Sequence, residues 1–339
     1  MINILIVSYS YIAALIGAGF ASGQEILCYF NSHGIYGICG ITAAAIIFTM
    51  FALCILLVCV KYDISDYSVF LDAVCHKRMK KMLKTASGIF SFAVYSVMLA
   101  AFGEIGRIVT GLSPGICAAI CAAFCAFMFC AGVDRVLDLN GLIGLILAAG
   151  IITCCLYMLR YREHHVFSEQ MSAYTNAAVY SGYNLIPAAP VLTALSKRIH
   201  KKRDAFASAL IAGGALLLMT SLIFAILSIY HGKIDLGSFP MLTLAQRQSD
   251  AFAFIYLLLF SGAVITTLFS SGAAVTETFS LGKPYIFLFS ALSYLAAGAG
   301  FGRLIDTAYR ICGIAGFALT LYMTVACLKK IISPKNKKV

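Results

Sequence analysis

Charged residues are scarce in this chain of 339 residues: only 12% are Asp, Glu, Lys or Arg, whereas 61% are hydrophobic. A soluble protein of this length could not cover its surface with so little charge. Apolar stretches of about 20 residues recur along the whole chain instead, and each is long enough to cross about 30 Å of hydrocarbon at 1.5 Å per residue. The composition therefore excludes a soluble globular protein and predicts a helical protein with many membrane spans.

Two further absences narrow the interpretation. No basic segment precedes the first apolar run, which begins at Ile2 and is too long for a signal sequence, so we expect it to belong to the mature chain. No His or acidic residue accompanies Cys117, Cys121 and Cys125, which share a helix face by their spacing of four, and the total of 13 cysteines is odd. We interpret these cysteines as small packing residues at a helix contact, not as ligands of a metal.

Hydropathy and charge predict an all-α integral membrane protein with ten transmembrane helices in a single domain, 1–339. The first five spans form repeat 1 (about 1–160), the last five form repeat 2 (about 168–328), and a basic tail follows at 329–339. The ten spans are predicted at 3–30, 35–60, 85–110, 114–131, 141–159, 171–195, 204–230, 251–279, 284–300 and 305–328.

The basic residues predict the orientation, because cytoplasmic segments retain Lys and Arg. With the N-terminus inside, 18 of the 25 basic residues lie on the cytoplasmic side, so we expect a multi-pass protein of the cell membrane with both termini cytoplasmic. The formal net charge of +11 is then explained by topology and by anionic headgroups. No nucleic-acid motif accompanies it, and the expected partner is the lipid bilayer, not nucleic acid.

The first span carries polar and small residues where a membrane helix should be apolar. It reads IGAGFASGQE from Ile16 to Glu25. Backbone groups freed by a helix break are tolerated in the membrane only where they face protein or a wet cavity. Close packing against another helix explains Gly17 and Gly19, but not the mid-membrane carboxylate of Glu25, which by default marks a functional interior. We therefore predict a broken helix.

A second interruption is predicted in the sixth span, which reads NAAVYSGYNLIPAAPVL from Asn176 to Leu192. Gly182 permits unusual backbone angles, and Pro187 and Pro190 each remove a donor. A proline-kinked helix is the alternative for this span taken alone. Both breaks lie in the first members of two sets of five spans, and because five is odd the second set enters the membrane from the opposite side. Discontinuous helices at corresponding positions of inverted halves are typical of a transporter's central site.

The motif at Ile16 to Glu25 resembles the first-helix signature of the YkvI-like membrane proteins, a branch of the amino acid-polyamine-organocation superfamily. More distantly, the ten-span layout resembles LeuT and the neurotransmitter:sodium symporters. The resemblance implies a LeuT-type fold of 5+5 inverted repeats, with helices 1 and 6 discontinuous and lining the substrate site. The implied substrate-binding residues are Gly17, Ala18, Gly19, Phe20, Ala21, Ser22, Gly23, Tyr95, Tyr180, Ser181, Gly182, Tyr183 and Asn184.

The resemblance also implies roles for these groups. N–H groups around Gly17 to Gly23 would bind a substrate carboxylate at a half-helix N-terminus, where the helix dipole favours an anion. Carbonyls around Tyr180 to Tyr183 would bind an ammonium group or a cation, so a zwitterionic amino acid satisfies both ends. Tyr95 would contact substrate through its hydroxyl, and aromatic packing is the alternative for it.

Na⁺ is the expected coupling ion, and no organic cofactor is implied. Span eight reads SGAVITTLFSSGAAVTETF, in which Thr266 and Ser270, and likewise Thr267 and Ser271, share a helix face. By resemblance, hydroxyls from this helix join the carbonyls of Ala13 and Ile16 around Na⁺. The alternative is that the hydroxyls bond to carbonyls four residues back. Proton coupling through Glu25 or Glu104 stays open, although span five lacks the lysine that some proton-driven relatives place there.

The remaining intramembrane charges suggest a gate on the outer side. Glu104 and Arg107 lie three apart in span three, and Arg303, Asp306 and Arg310 follow one another at the start of span ten. Pairing among these residues and Glu25 would close the outer vestibule, as comparable pairs do in the related symporters. Static ion pairs that only neutralise one another are the alternative.

The expected function is a secondary active transporter that imports a small amino acid or related zwitterion with Na⁺ by alternating access. A proton-coupled transporter of the same fold and a nutrient receptor that binds without transport are the alternatives, and an ion channel is a further one. An enzyme is not expected, because the histidine pair His164 and His165 lies in a predicted outer loop without a nucleophile or metal constellation. The sequence does not determine the side chain of the substrate. It also does not decide between a monomer and a homodimer.

Overall fold

The computed structural model describes residues 2–131, 140–159, 173–230 and 235–333, and these residues are almost entirely helical. Three short helices build the first predicted span: α1 (Ile2–Leu15), α2 (Ala18–Ala21) and α3 (Gln24–Tyr29). A π-helical turn (Ile305–Tyr309) joins the last two helices of the chain. The helices after α3 are α4 (Tyr36–Tyr62), α5 (Tyr67–Val74), α6 (Lys77–Thr110), α7 (Pro114–Ala131), α8 (Asn140–Met158), α9 (Ala173–Leu195), α10 (Lys202–Tyr230), α11 (Pro240–Gln248), α12 (Asp250–Thr278), α13 (Lys283–Ala297), α14 (Phe301–Leu304) and α15 (Arg310–Ile332).

Several of these helices are long and apolar enough to cross a bilayer. By length and composition, five helical stretches among the described residues qualify: α4, α6, α10, α12 and Phe301–Ile332. Shorter apolar helices occur in the first, fourth and fifth predicted spans. Large apolar side chains cover the outside of the bundle; on α7, Ile120, Phe124 and Phe127 are 57–65% exposed. Such an apolar surface is suited to contact with lipid and not with water. The number of ten membrane spans stays a prediction.

The long helices pack in two groups. In the first group, α1 and α4 each pack against both α9 and α10, while α8 flanks α1 and α15 flanks α9. In the second group, α6 packs against α7, α12 and α13. The cysteine face of α7 lies at such a contact, because a Cβ atom on Gly106 of α6 would come within 2.5 Å of the Cys117 Cβ atom. The spacing of four in Cys117, Cys121 and Cys125 thus places three buried small side chains on one face of α7.

The sixth predicted span is a continuous helix, α9, and this corrects the prediction that it is discontinuous. Gly182 serves close packing instead of a break: a Cβ atom there would come within 2.5 Å of the Phe317 backbone nitrogen on α15. Pro187 and Pro190 lie inside the helix, where each removes one backbone donor. The Asn184 side chain also bonds within this helix, since its Nδ2 atom donates to the Tyr180 carbonyl at 3.0 Å. The span therefore agrees with the alternative of a helix that contains prolines without being broken.

Two short helices, α5 and α11, lie in the connections between the long helices. α5 begins after Asp66, whose carboxylate caps it by accepting from the Val69 N–H at 2.9 Å. The basic residues at 77–84 belong to the start of α6, because this helix begins at Lys77, eight residues before the start predicted for its span at 85. α11 lies between α10 and α12, and its amphipathic sequence buries Met241 and Leu244 against the bundle.

One end of the bundle gathers basic residues, and we call it the basic end. There the Lys61 Nζ atom donates to the carbonyls of Lys330 and Ile331 at 2.7 and 3.0 Å, so that it caps the C-terminus of α15. The Ser196 hydroxyl donates to the Ile64 carbonyl at 2.8 Å and ties the end of α9 to the end of α4. The basic end is thereby defined by the ends of α4, α9 and α15, and the opposite end carries α3 and α11.

Candidate functional site

The first span is interrupted twice near its middle. After α1, Gly17 adopts an extended backbone (φ −97°, ψ −173°), and its N–H donates to the Leu15 carbonyl at 3.2 Å. An uninterrupted helix would direct this N–H to the Ala13 carbonyl, which therefore loses its usual donor. After α2, Gly23 takes a left-handed conformation (φ 79°) that glycine adopts at no steric cost. The two interruptions place unpaired backbone groups in the middle of the bundle.

Neighbouring helices satisfy the second interruption. The Tyr256 hydroxyl on α12 donates to the Ala21 carbonyl at 2.6 Å, and the Met241 N–H on α11 donates to the Ser22 carbonyl at 2.9 Å. The predicted substrate-binding residues here are consequently buried inside protein and lie outside the cavity described next. They are Ala18, Gly19, Phe20, Ala21, Ser22 and Gly23.

A cavity of about 560 Å³ lies beside the first interruption, between α1 and α9 of the first helix group and α6 and α12 of the second. It runs from Glu25 and Tyr309 to the exposed residues Lys197 and Arg198, so it opens toward the basic end. At the other end Glu25 is only 3% exposed. Nine of the predicted site residues line this cavity: Ala13, Gly17, Glu25, Tyr183, Asn184, Thr266, Thr267, Ser270 and Ser271.

Four other predicted site residues face protein. Tyr95 packs against Phe289, with ring centroids 4.8 Å apart, which is the aromatic packing alternative. Tyr180 packs edge-on against Phe30 at 5.2 Å. Ser181 and Gly182 are buried as well, and none of the four lines the cavity in this conformation.

The closed end of the cavity is acidic and aromatic. The Glu25 side chain folds back against Gly19, where any Cβ atom would collide with the carboxyl group. The rings of Tyr183 and Tyr309 stack beside it, with centroids 4.5 Å apart and an interplanar angle of 26°. The Tyr183 hydroxyl lies next to the carboxyl group, yet neither it nor Glu25 Oε2 reaches hydrogen-bond geometry with any described residue. This end therefore holds buried polar atoms with unused hydrogen-bonding capacity.

A row of hydroxyl groups from α12 forms the opposite wall. The hydroxyls of Ser270 and Ser271 donate to carbonyls within α12, those of Thr266 and Thr267, at 2.9 and 2.6 Å. Thr267 instead reaches across to α1, where its hydroxyl donates to the Ile16 carbonyl at 3.3 Å. Ala13 of α1 lines the cavity too. The contact between Thr267 and Ile16 brings a hydroxyl oxygen and a carbonyl oxygen of two different elements together at the cavity, and a hard cation prefers such ligands.

The predicted gate residues pair within their own helices. Arg107 Nε lies 2.9 Å from Glu104 Oε2, and Arg310 Nη2 lies 3.0 Å from Asp306 Oδ1. Residues three or four apart on a helix are neighbours, which explains both pairs. Arg303 is exposed on α14. In the part of the chain that the structure describes, Glu25 joins none of the ion pairs, so in this conformation the charges pair along helices and the gate across helices stays a prediction.

The cavity also contains residues that the sequence did not point to. Tyr309, the last residue of the π-helical turn, lines the closed end of the cavity beside Glu25. Ser91 lines the wall one turn before Tyr95, so the polar position on α6 was expected one turn too late. Lys197, Arg198 and Glu277 surround the opening, and a charge count at the span ends would have found them.

Comparison with known proteins gives a fold and one relative. No protein-family model matches the chain. It is 25% identical over 324 residues to the uncharacterized membrane protein YkvI of Bacillus subtilis (strain 168), and the match covers 92% of each chain.

Among solved structures, MhsT in complex with L-phenylalanine superposes with a TM-score of 0.67 at 12% identity, covering 98% of this chain and 92% of that one. A Na⁺-coupled sialic acid symporter gives 0.62 at 12% identity, covering 97% and 78%. The manganese transporter of Eremococcus coleocola gives 0.60 at 11% identity, covering 96% and 76%. Identities this low carry no function, but the coverage and the TM-scores establish the architecture. The chain is an all-α membrane protein with the LeuT-type fold.

Proposed function

We propose that this protein is a secondary active transporter that moves a small amino acid or related zwitterion by alternating access, with Na⁺ as the coupling ion. The observation that carries the proposal is the cavity at the first interruption, which is open toward the basic end and closed toward the end that carries α11. A binding site reached from one end only is what alternating access requires of each of its states.

The packing supports a rocking motion between the two helix groups. The cavity lies between α1 and α9 on one side and α6 and α12 on the other, so a rotation of one group against the other would close the basic end and open the opposite one. The basic end carries Lys61, Lys197, Arg198 and Lys330. By the positive-inside rule we assign this end, with both chain termini, to the cytoplasm. The structure then corresponds to an inward-open state.

Sodium is proposed at the hydroxyl wall. Its candidate ligands are the carbonyls of Ala13 and Ile16 and the hydroxyls of Thr267, Ser270 and Ser271. The contact between Thr267 and Ile16 lies where the two helix groups meet, so an ion bound by these oxygens would favour one relative position of the groups. A solved structure with a similar fold belongs to a Na⁺-coupled sialic acid symporter, which supports this choice. Proton coupling through Glu25 is the competing proposal.

The proposed substrate class follows from the cavity's size and lining. Small-molecule sites occupy roughly 300–1,000 Å³, and the cavity of about 560 Å³ suits an amino acid. Its wall combines apolar side chains such as Val94 and Val191 with the polar groups of Asn184 and Ser91. MhsT, which has a similar fold, was solved in complex with L-phenylalanine, and this supports an amino acid as the first ligand to try.

Solute counterflow tests the proposal without a prior choice of coupling ion. Proteoliposomes are loaded with a concentrated mixture of unlabelled amino acids and diluted into traces of the same labelled compounds, with equal Na⁺ on both sides. A transporter gives a transient accumulation of label that protein-free vesicles do not show. Ligand-dependent thermal stabilisation of the protein without counterflow would instead identify a receptor, and a current that does not saturate with amino acid would identify a channel.

A further inference from the structure

The Glu25 carboxyl group is the one acidic group at the closed end of the cavity among the described lining residues. It is 3% exposed, and its Oε2 atom is buried without a hydrogen-bond partner in the described part of the chain. It projects from α3 back toward Gly19 and so faces the space that a solute would enter. A charged carboxylate in such surroundings is costly unless a cation lies beside it.

The described residues offer no such cation at this end. The cavity's basic residues, Lys197 and Arg198, lie at its opening on the opposite side. Arg310, which lies on the same side of the bundle as Glu25, is paired with Asp306 at 3.0 Å and both side chains are more than half exposed. A charged carboxylate at this end would therefore be balanced only by a cation that comes from outside the protein, and protonation of the carboxyl group is the competing way to remove the cost.

The surroundings fit an ammonium group. The stacked rings of Tyr183 and Tyr309 present an aromatic surface beside the carboxyl group, and aromatic faces attract organic cations. The hydroxyls of Tyr183 and Tyr29 are buried without a hydrogen-bond partner among the described residues and offer oxygen atoms to the three N–H donors of an ammonium group. A divalent metal ion suits this place less well, because among the described residues no three His, Cys, Asp or Glu side chains converge.

We infer that Glu25 is the counter-ion for the ammonium group of the substrate, so that the site selects amines whether or not they carry a carboxylate. The inference rests on the proposed function, whose substrate class it refines. It also reverses the polarity expected from the sequence, which placed the substrate carboxylate at the first interruption. In the refined arrangement the amino group lies at the closed end, and the rest of the molecule extends toward the hydroxyls of α12.

The test uses matched ligands on the purified full-length protein. Three sets share one side chain each: alanine, ethylamine and propionate; leucine, 3-methylbutylamine and 4-methylpentanoate; phenylalanine, phenethylamine and 3-phenylpropionate. Binding is measured by thermal stabilisation over a concentration series in choline-free buffer. In at least one set the amino acid and the amine should bind, and the acid should not. An acid that binds as well as its amine, or no binding in any set, overturns the inference.

Variants of Glu25 complete the test. Glu25→Gln should weaken amine binding by about 30-fold or more, because it removes a buried charge-assisted contact, whereas Glu25→Asp should keep the preference for the amine. Asp72→Asn, which removes an exposed carboxylate paired with Lys80, is the matched control and should bind as the unmodified protein does. Undiminished amine binding in a folded Glu25→Gln protein overturns the inference. So does Glu25-dependent stabilisation by NaCl or MnCl₂ alone.

The two proposals fail in different ways. Amine-selective binding without counterflow contradicts transport and leaves the counter-ion role of Glu25 in place. Counterflow of a deaminated acid contradicts the counter-ion role and leaves transport in place.

Discussion

The Thr267 hydroxyl donates to the Ile16 carbonyl across 3.3 Å and joins α12 to the residue that follows α1. This contact connects the two helix groups at the wall of the cavity. The interruption makes it possible, since the Ile16 carbonyl in an uninterrupted helix would accept from the N–H of residue 20. The break in the first span thus supplies an acceptor that a neighbouring helix can reach.

Substitution of Thr267 tests the sodium proposal. Thr267→Ala should raise the Na⁺ concentration for half-maximal uptake by about 10-fold, because it removes an oxygen that would bind the ion. This factor follows from the contribution of a hydrogen bond to a charged group, which is about 1.5–3 kcal/mol. Thr267→Ser should restore most of the affinity. Thr153→Ala is the control, since that hydroxyl is exposed on α8 and bonds to its own helix. An unchanged Na⁺ dependence in Thr267→Ala would place the ion elsewhere.

Two tyrosines of the bundle should respond differently to the loss of a hydroxyl. Tyr256→Phe leaves the Ala21 carbonyl without its donor and should lower the free energy of unfolding by about 1–3 kcal/mol. Tyr95→Phe removes a buried hydroxyl that has no hydrogen-bond partner among the described residues, so stability should change by less than about 0.5 kcal/mol. Both are measured by unfolding in mixed detergent micelles. Equal losses in the two variants would contradict the contact at Ala21.

The same Tyr95→Phe protein tests whether this residue contacts substrate. The Tyr95 ring packs against Phe289 and does not line the cavity in the described conformation. Loss of its hydroxyl should therefore change the apparent substrate affinity by less than about two-fold, which is less than about 0.4 kcal/mol. A loss of about 10-fold would show that Tyr95 reaches the substrate in another state.

Glycine 182 should tolerate no side chain. Gly182→Ala forces a Cβ atom against the backbone of α15 near Phe317, and overpacking of this kind costs about 1–3 kcal/mol. Gly214→Ala on α10 is the matched change, because nothing lies within 4 Å of its Cβ position. It should be neutral or stabilising by up to about 1 kcal/mol, the difference in helix propensity. Thermal unfolding of both proteins in detergent measures the contrast, and a tolerated Gly182→Ala would refute the close approach of α9 and α15.

The ion pairs of α6 and of the π-helical turn should matter little. Glu104→Gln and Asp306→Asn each break an exposed pair within one helix, and such pairs contribute about 0.3–0.5 kcal/mol. Uptake should stay within about two-fold of the unmodified protein. A loss of about 10-fold in either variant would restore the gate that the sequence suggested and would indicate that the pairs exchange partners during transport.

The sequence predicted the all-α membrane class and the first interruption because both depend on local composition. Gly17, Gly23 and Glu25 carry their signal within a few residues. The sixth span shows the limit of such reasoning: Gly182 reads as a possible break, but its role is set by α15, which lies more than 100 residues later. A glycine that permits a turn and a glycine that permits close packing look the same in one sequence.

The site was harder to predict than the fold for a related reason. Which face of a helix meets the cavity depends on rotations of tens of degrees, and one residue on a helix corresponds to about 100°. The depth of the cavity along a helix is equally hidden: Ser91 lies one turn before Tyr95 on nearly the same face of α6, and only Ser91 lines the cavity. Gly17 lines the cavity whereas Ala18 to Gly23 do not, since α11 and α12 cover the second interruption. Contacts between distant elements decide these points.

The most direct test of the account is uptake into proteoliposomes of the amino acid found by counterflow, driven by an inward Na⁺ gradient with an equimolar K⁺ control at fixed pH. Gly17→Leu, which fills the cavity, is compared with Gly214→Leu, whose side chain enters open space on the bundle surface. The account predicts Na⁺-dependent accumulation that Gly17→Leu abolishes and Gly214→Leu retains. Accumulation that persists in Gly17→Leu, or that does not depend on Na⁺, would contradict it.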